Sequence, residues 1–522
     1  MALLSWPLGS AVLAADAPIV LPSMGDVASQ TLSPVAERRL GDRIMRSILR
    51  DPDVIDDPLV LEYIDNVWQT LLTAARQRGD IGPDLDGSHA WRAFLVRDRS
   101  INAFALPGGY IGVHLGLLSM TSSPDELASV LAHELSHVTQ RHIARMIGDQ
   151  QRQSWVSLAS MVLGALAISR APQAAQAILA GGQAVAMQGQ LNFSRDMERE
   201  ADRVGFGVMS EAHYAPAGMA QMFEHLQQAS RLIDDNNFPY LRTHPLTGER
   251  IGEARSRMGT NGWASQAANN TPARQALEAR HALLAARAKV LMDPRSVSLQ
   301  PLLGASVPKA TPPLRAVALH YTSAVAAQRM NDRPRVAAAL QQARTAATSL
   351  PVAQQAIIER ILLLTEVDAQ VDGRQAVQAG ATLSNALSPG KSSLRPDARP
   401  ELLMAARIAL NLPEARDNRA AWNDAAARLQ THVSAHPEDA PAWTALSLLW
   451  QRLEQPLRAV RAEAEATAAL GDLPGAIDRI EGARKTARRP TAGDAIELSV
   501  MQSRLRVWQR QQREDLTDDG MK

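Results

Sequence analysis

The chain has no cysteine among its 522 residues. That excludes a thiol nucleophile, disulfide staples and a lipid-modified N-terminal cysteine, and leaves the redox compartment open. Aromatic residues amount to only 4%, which with frequent alanine favours packed helices over sheet. An excess of either charge is also missing. The formal net charge is +1, with Lys and Arg spread along the chain, so no nucleic-acid partner is expected. Neither of the two apolar stretches reaches the roughly twenty residues that cross a bilayer. The first, Ala2 to Ala15, leads into small residues and reads as an export signal over 1–17, with Ala14, Ala15 or Ala17 before the cut. No Lys or Arg precedes Arg38, so the basic start of such a signal is absent; a start further upstream or a buried helix are the other readings.

What is present exceeds a single core in length, and two or more domains are the expectation. From 32 to 258 the pattern mixes helix and strand. Arg92–Val96 and Gly109–Val113 are β-prone, and Pro107-Gly108-Gly109 signals a turn between them. Residues 259–273 are Asn- and Gly-rich and read as a linker. From 274 to 487 the chain is Ala/Leu/Arg-rich and helical. Trp443, Leu446, Trp450 and Ala459 fall at the spacings of a tetratricopeptide-like helix pair, Gly471 to Ala483 adds a turn and helix, and Ala316 to Ala343 suggests an earlier pair. A solenoid of such pairs offers a concave face to protein or peptide; an irregular bundle is the plainer alternative. Residues 488–522 read as a frayed C-terminal tail.

The chemistry concentrates in "SVLAHELSHVTQRH" (Ser129 to His142). Ser123 caps a helix, Pro124 fits its first turn and Glu126 completes a capping box, with the helix expected to reach at least Arg145. Leu127, Val130, Leu131, Leu135 and Val138 make one apolar stripe. Glu134 falls near its centre, with His133 and His137 one turn apart along its edge. A carboxylate stranded there costs several kcal/mol unless it is partnered. A metal ion supplies the reason: two histidines at i and i+4 can bind one Zn²⁺, and the intervening Glu reaches the metal's water. A third ligand must come from elsewhere. "NFSRDMEREADRVGFGVM" (Asn192 to Met209) is an acidic helix in which Glu198 with Asp202, or Asp196 with Glu200, present two carboxylates at i, i+4. Helical geometry does not choose between these pairs.

Four blocks in order, "INAFALPGGYIGVHLGLL" (Ile101 to Leu118), "ELASVLAHELSHVTQRHIAR" (Glu126 to Arg145), "SRDMEREAD" (Ser194 to Asp202) and "THPLTGERI" (Thr243 to Ile251), resemble the gluzincin family that contains HtpX and the CAAX prenyl proteases. The resemblance implies a mainly α chain: a zincin-type α+β metallopeptidase domain followed by the helical repeats. It implies one Zn²⁺ per chain held by His133, His137 and Glu198, Glu134 as general base, and Asp202 orienting a ligand histidine through its other ring nitrogen. It also implies an edge strand beside the metal, so that Asn102, Ala103, Phe104 and Ala105 bind substrate backbone; an ordinary hairpin is the alternative.

His244 precedes Pro245 and stays open between three roles: oxyanion stabiliser, fourth zinc ligand that holds the enzyme latent, or exposed loop residue. The second apolar stretch, within 154–190, is broken by Arg170, Pro172 and Gly181-Gly182, and reads as a mobile cover or a surface touching membrane or partner. A peptidase domain joined to helical repeats and an export signal is similar to exported members of the family. Those act as protease and chaperone on misassembled outer-membrane β-barrel proteins in the periplasm and associate with the assembly machinery. The rival expectation is a chaperone or scaffold whose repeats bind that machinery while the zinc site is silent.

Overall fold

The computed structural model describes residues 32–149, 195–232, 239–258, 270–304, 307–388, 394–413, 418–486 and 492–520. The expected export signal, residues 259–269 of the linker and the apolar stretch 154–190 lie outside the described residues. The chain is mainly α. Its first part runs α1 (Pro34–Ile48), β1 (Val54–Ile55), α2 (Pro58–Arg78), α3 (Pro83–Ser88), β2 (Arg92–Val96), β3 (Ala103–Leu106), β4 (Tyr110–His114), α4 (Leu115–Met120), α5 (Pro124–Thr139), α6 (His142–Asp149), α7 (Arg195–Glu211), α8 (Ala217–Leu232), α9 (Pro239–Thr243) and α10 (Gly248–Met258).

The strands form one sheet in the order β1-β2-β4-β3. The two expected strands are present, but β2 and β4 lie parallel as neighbours. The Pro107–Gly109 turn closes a different pair, the antiparallel β3–β4 hairpin with Leu106 opposite Tyr110. Gly108 and Gly109 take φ +77° and +80°, a left-handed pair that only glycine adopts cheaply. β3 is left as an edge. Helix α2, capped by Asp57 on the Val60 N–H, carries Tyr63, Ile64, Trp68, Leu71 and Leu72 into the centre of the core, all fully buried.

The second part is helical throughout: α11 (Pro272–Leu291), α12 (Ser296–Leu299), α13 (Pro313–Arg329), α14 (Arg333–Ala347), α15 (Val352–Asp372), α16 (Ala376–Ala386), α17 (Arg399–Asn411), α18 (Arg419–Ala435), α19 (Ala440–Arg452), α20 (Pro456–Ala469), α21 (Leu473–Thr486) and α22 (Ala492–Gly520). One turn recurs. Asn331, Arg374, Glu454 and Gly471 each take a positive φ between two helices, and the next residue's N–H reaches back five positions, as Asp332 does to the Ala327 carbonyl and Gln455 to that of Trp450. This closure satisfies the last carbonyls of each first helix.

The two parts share a core. One apolar cluster runs from Leu59 to Ile408 and includes Leu283, Leu284 and Val290 of α11. Four arginines of the second part reach acids at the start of α2: Arg287 onto Asp57, Arg360 and Arg395 onto Glu62, and Arg399 onto Asp56. The far end returns to α1, where Arg46 pairs with Asp515 at 2.8 Å. Within the expected C-terminal tail, residues 492–520 form helix α22. Met501, Leu505 and Trp508 of α22 are buried against α21 and α20, because their spacing makes an apolar stripe with a partner to cover it.

Candidate metal centre

Helix α5 starts as its sequence dictates. The Ser123 Oγ accepts from the Glu126 N–H at 3.3 Å, and the Glu126 carboxylate reaches back to the Ser122 N–H at 2.8 Å. All of α5 is buried. Helix α7 crosses it closely at Gly205, where a Cβ would meet the Ala132 and His133 backbone at 3.1 Å. That approach turns Glu198 and Asp202 inward, whereas the Asp196 side chain is 92% exposed. The helix is shorter than expected: it stops at Thr139, and Arg141 takes φ +52° before α6 begins. The Arg141 guanidinium holds this break by binding Glu37 and the Leu32 carbonyl.

Four side chains from three places in the chain converge. His137 Nε2 lies 3.0 Å from His133 Nε2. Glu198 Oε1 is 3.3 Å from His137 Nε2, and its Oε2 is 3.5 Å from His133 Nε2. His244 Nδ1 lies 2.9 Å from Glu198 Oε1 and 3.3 Å from His133 Nε2. One donor atom from each of these four buried residues falls within 4.8 Å of the other three. Donors arranged tetrahedrally around an ion at ~2.05 Å stand ~3.3 Å apart, so the cluster fits a metal of zinc's size and ligand preference.

The electrostatics point the same way. Burial opposes the charge on Glu198, yet the neighbouring His244 and His133 hold its carboxyl far below the ordinary range. Burial alone would lower His133, but Glu198 and Asp202 lift it to about 9. His137 is driven down by burial. Glu198 is thus a buried carboxylate kept in its charged form by the imidazoles around it.

Asp202 Oδ1 lies 2.9 Å from His133 Nδ1, the ring nitrogen turned away from the cluster. Arg250 grips the same carboxylate with two bonds of 2.7 and 2.8 Å, approaches Glu198 Oε2 to 2.8 Å, and donates to the Pro245 carbonyl at 3.0 Å. It ties a cluster residue, its neighbour and the loop bearing His244 into one unit. Arg250 lies within "THPLTGERI", and its spacing of six residues from His244 is the sequence signal for this role. Tyr240 also stands outside the site residues expected from the sequence. It is buried with its ring 4.7 Å from that of His244, and the His244 N–H donates to the Tyr240 carbonyl at 2.8 Å.

Glu134 stands beside the cluster. Its Oε2 accepts from the Ala105 N–H of β3 at 3.1 Å, and its Oε1 lies 3.4 Å from His244 Nε2. Burial raises its carboxyl above the ordinary value, against the pull of His244 and His133. The His114 N–H to Asn102 carbonyl bond sets Asn102, Phe104 and Leu106 toward β4 and leaves the backbone groups of Ala103 and Ala105 on the open edge. Phe104 lies over Gly112, where any side chain would collide with its ring.

Residues 69–258 match the model of peptidase family M48. This part of the chain is similar to the M48 peptidases. Over 245 residues, 47% of this chain and 49% of the other, the sequence is 39% identical to a Vibrio cholerae protein provisionally named a beta-barrel assembly-enhancing protease. It is 36% identical over 246 residues to the Escherichia coli beta-barrel assembly-enhancing protease, 47% and 48% of the two chains. The Schizosaccharomyces pombe mitochondrial metalloendopeptidase OMA1 is 34% identical over 161 residues, 31% and 44% of the two chains. This chain spans about half the length of the bacterial relatives it matches. The matched residues include α5, α7 and His244, so the whole donor cluster lies inside the matched region.

Proposed function

We propose that this protein is a zinc endopeptidase with one Zn²⁺ per chain, held by His133, His137 and Glu198, and with Glu134 as general base. The observation that carries this reading is the convergence of four buried donor atoms with one further carboxylate, Glu134, beside them. When bound, the ion supplies Lewis-acid chemistry, polarising a peptide carbonyl and making water acidic near neutral pH. Glu134, aimed by the Ala105 N–H, takes a proton from water and passes it to the leaving amine. Asp202 holds His133 in the tautomer that presents Nε2. Substrate backbone adds to β3 along Asn102–Ala105, where the open edge runs past Glu134.

His244 contributes the fourth donor, at the corner an open catalytic site leaves for water or substrate. We therefore read it as the residue that keeps the enzyme latent, in preference to an oxyanion stabiliser. The loop joining α9 to α10 must swing His244 out before turnover.

The bacterial relatives are named for β-barrel assembly. On that ground the proposal extends to a periplasmic location and to misassembled outer-membrane β-barrel proteins as clients. The helical region then serves as a tetratricopeptide-like surface for the assembly machinery and for chaperone work. The recurring turn at Asn331, Arg374, Glu454 and Gly471 supports a repeat origin. Among the described residues no helix is long and apolar enough to cross a membrane. Zinc analysis joined to casein degradation tests the chemistry: one equivalent of zinc, with turnover lost on chelation and restored by zinc, is expected. A protein that binds no metal and degrades nothing in any state would leave the scaffold reading.

A further inference from the structure

His142 and the acid behind it are unused by this chemistry, yet they are built into it. The left-handed turn at Arg141 folds α6 back beneath α5, and His142 is fully buried against the underside of His137. The two Nδ1 atoms are 2.8 Å apart, with rings 4.8 Å between centroids and 73° between planes. His142 Nε2 lies 3.1 Å from Glu200 Oε2, and Arg145 Nη1 donates to the same oxygen at 2.8 Å.

The protons in this row follow from one requirement. If His137 Nε2 gives its lone pair to a metal, its proton sits on Nδ1 and is donated to His142 Nδ1. That nitrogen must then be bare, so the His142 proton sits on Nε2 and is donated to Glu200. We infer that His142 is a positioning residue for the metal ligand His137, fixing its tautomer and ring plane through a His137–His142–Glu200 row. The inference rests on the zinc reading above. The site is asymmetric: His133 faces a carboxylate directly, whereas His137 faces a neutral ring with its carboxylate one step further out and only partly buried. Partners of this kind are worth about 10–100-fold in metal affinity.

The test compares two near-isosteric replacements. Asn places Oδ1 where the His142 Nδ1 acceptor stands; Leu places a methyl there. Zinc release from the full chain into excess chelator is followed at neutral pH, together with the visible spectrum of the cobalt-substituted protein. His142→Leu should release zinc about tenfold faster or more and shift the cobalt bands, while His142→Asn stays within a few-fold of the parent. Should the Leu variant fail to fold, Glu200→Gln carries the test. It speeds release a few-fold in the parent and has no effect in the His142→Asn background, where the row is already cut. Equal release from Leu, Asn and parent overturns the inference, as does a Glu200→Gln effect that survives in the Asn background. A parent chain that binds no zinc would instead overturn the zinc reading itself.

Discussion

His244 Nδ1 lies 2.9 Å from Glu198 Oε1, although 46 residues separate them. That contact places an imidazole where an open zinc site keeps a free corner. His244→Ala should therefore raise casein degradation, by about tenfold or more if the open loop is a minor population, with zinc content unchanged. A loss of activity on the same substitution would assign His244 to transition-state stabilisation.

The Arg250 guanidinium meets both Asp202 and Glu198. Its neighbours hold the guanidinium charged despite burial. Replacing it by Met strands two buried carboxylates, and a loss of about 3–5 kcal/mol is expected by urea unfolding of the metal-free protein. Zinc should recover part of that loss, because it returns positive charge to Glu198. An Arg250→Met protein as stable as the parent without metal would contradict this.

The joint between the two parts is tested at Asp57 and Arg287, which share three contacts of 2.8–3.0 Å in a buried site. Burial alone would raise the Asp57 carboxyl, but Arg287 and the Val60 N–H hold it below its ordinary value. Asp57→Leu should cost about 3–5 kcal/mol by leaving Arg287 unpaired, and adding Arg287→Met should regain most of it. Additive losses would show that the pair is not coupled.

Stability should also fall in mild acid. Burial pushes the His281 imidazole down to about 4; the neutral ring accepts from the Tyr63 hydroxyl and donates to the Thr121 carbonyl, each at 2.9 Å. Between about pH 6.5 and 4 the unfolded chain binds a proton there that the folded chain refuses. Stability from this group is thus complete above that window and declines as pH falls through it, by at most about 3 kcal/mol. Urea unfolding at pH 7.5 and 5 should show a smaller difference for His281→Asn than for the parent. Identical differences would remove His281 from the account.

Some of this was legible beforehand. The cap at Ser123 and the inward face of α5 follow from local pattern, which a single helix carries by itself. The choice of Glu198 over Asp196 does not, because the facing side of α7 is set by how closely Gly205 lets it approach α5. The break before α6 left no signal, since arginine rarely takes a left-handed conformation and does so here on long-range bonds to Glu37 and Leu32. The burial of Trp508 was hidden for the same reason: an apolar stripe on α22 looks like a tail until α21 is known to lie beside it.

The most direct test of the central claim is casein degradation by His244→Ala compared with His244→Ala/Glu134→Gln, zinc being measured on the same preparations. Removing a general base costs about 10²–10⁴-fold in rate. The account predicts activity in the single variant, activity at background in the double variant, and one equivalent of zinc in both. Equal turnover by the two proteins would contradict it.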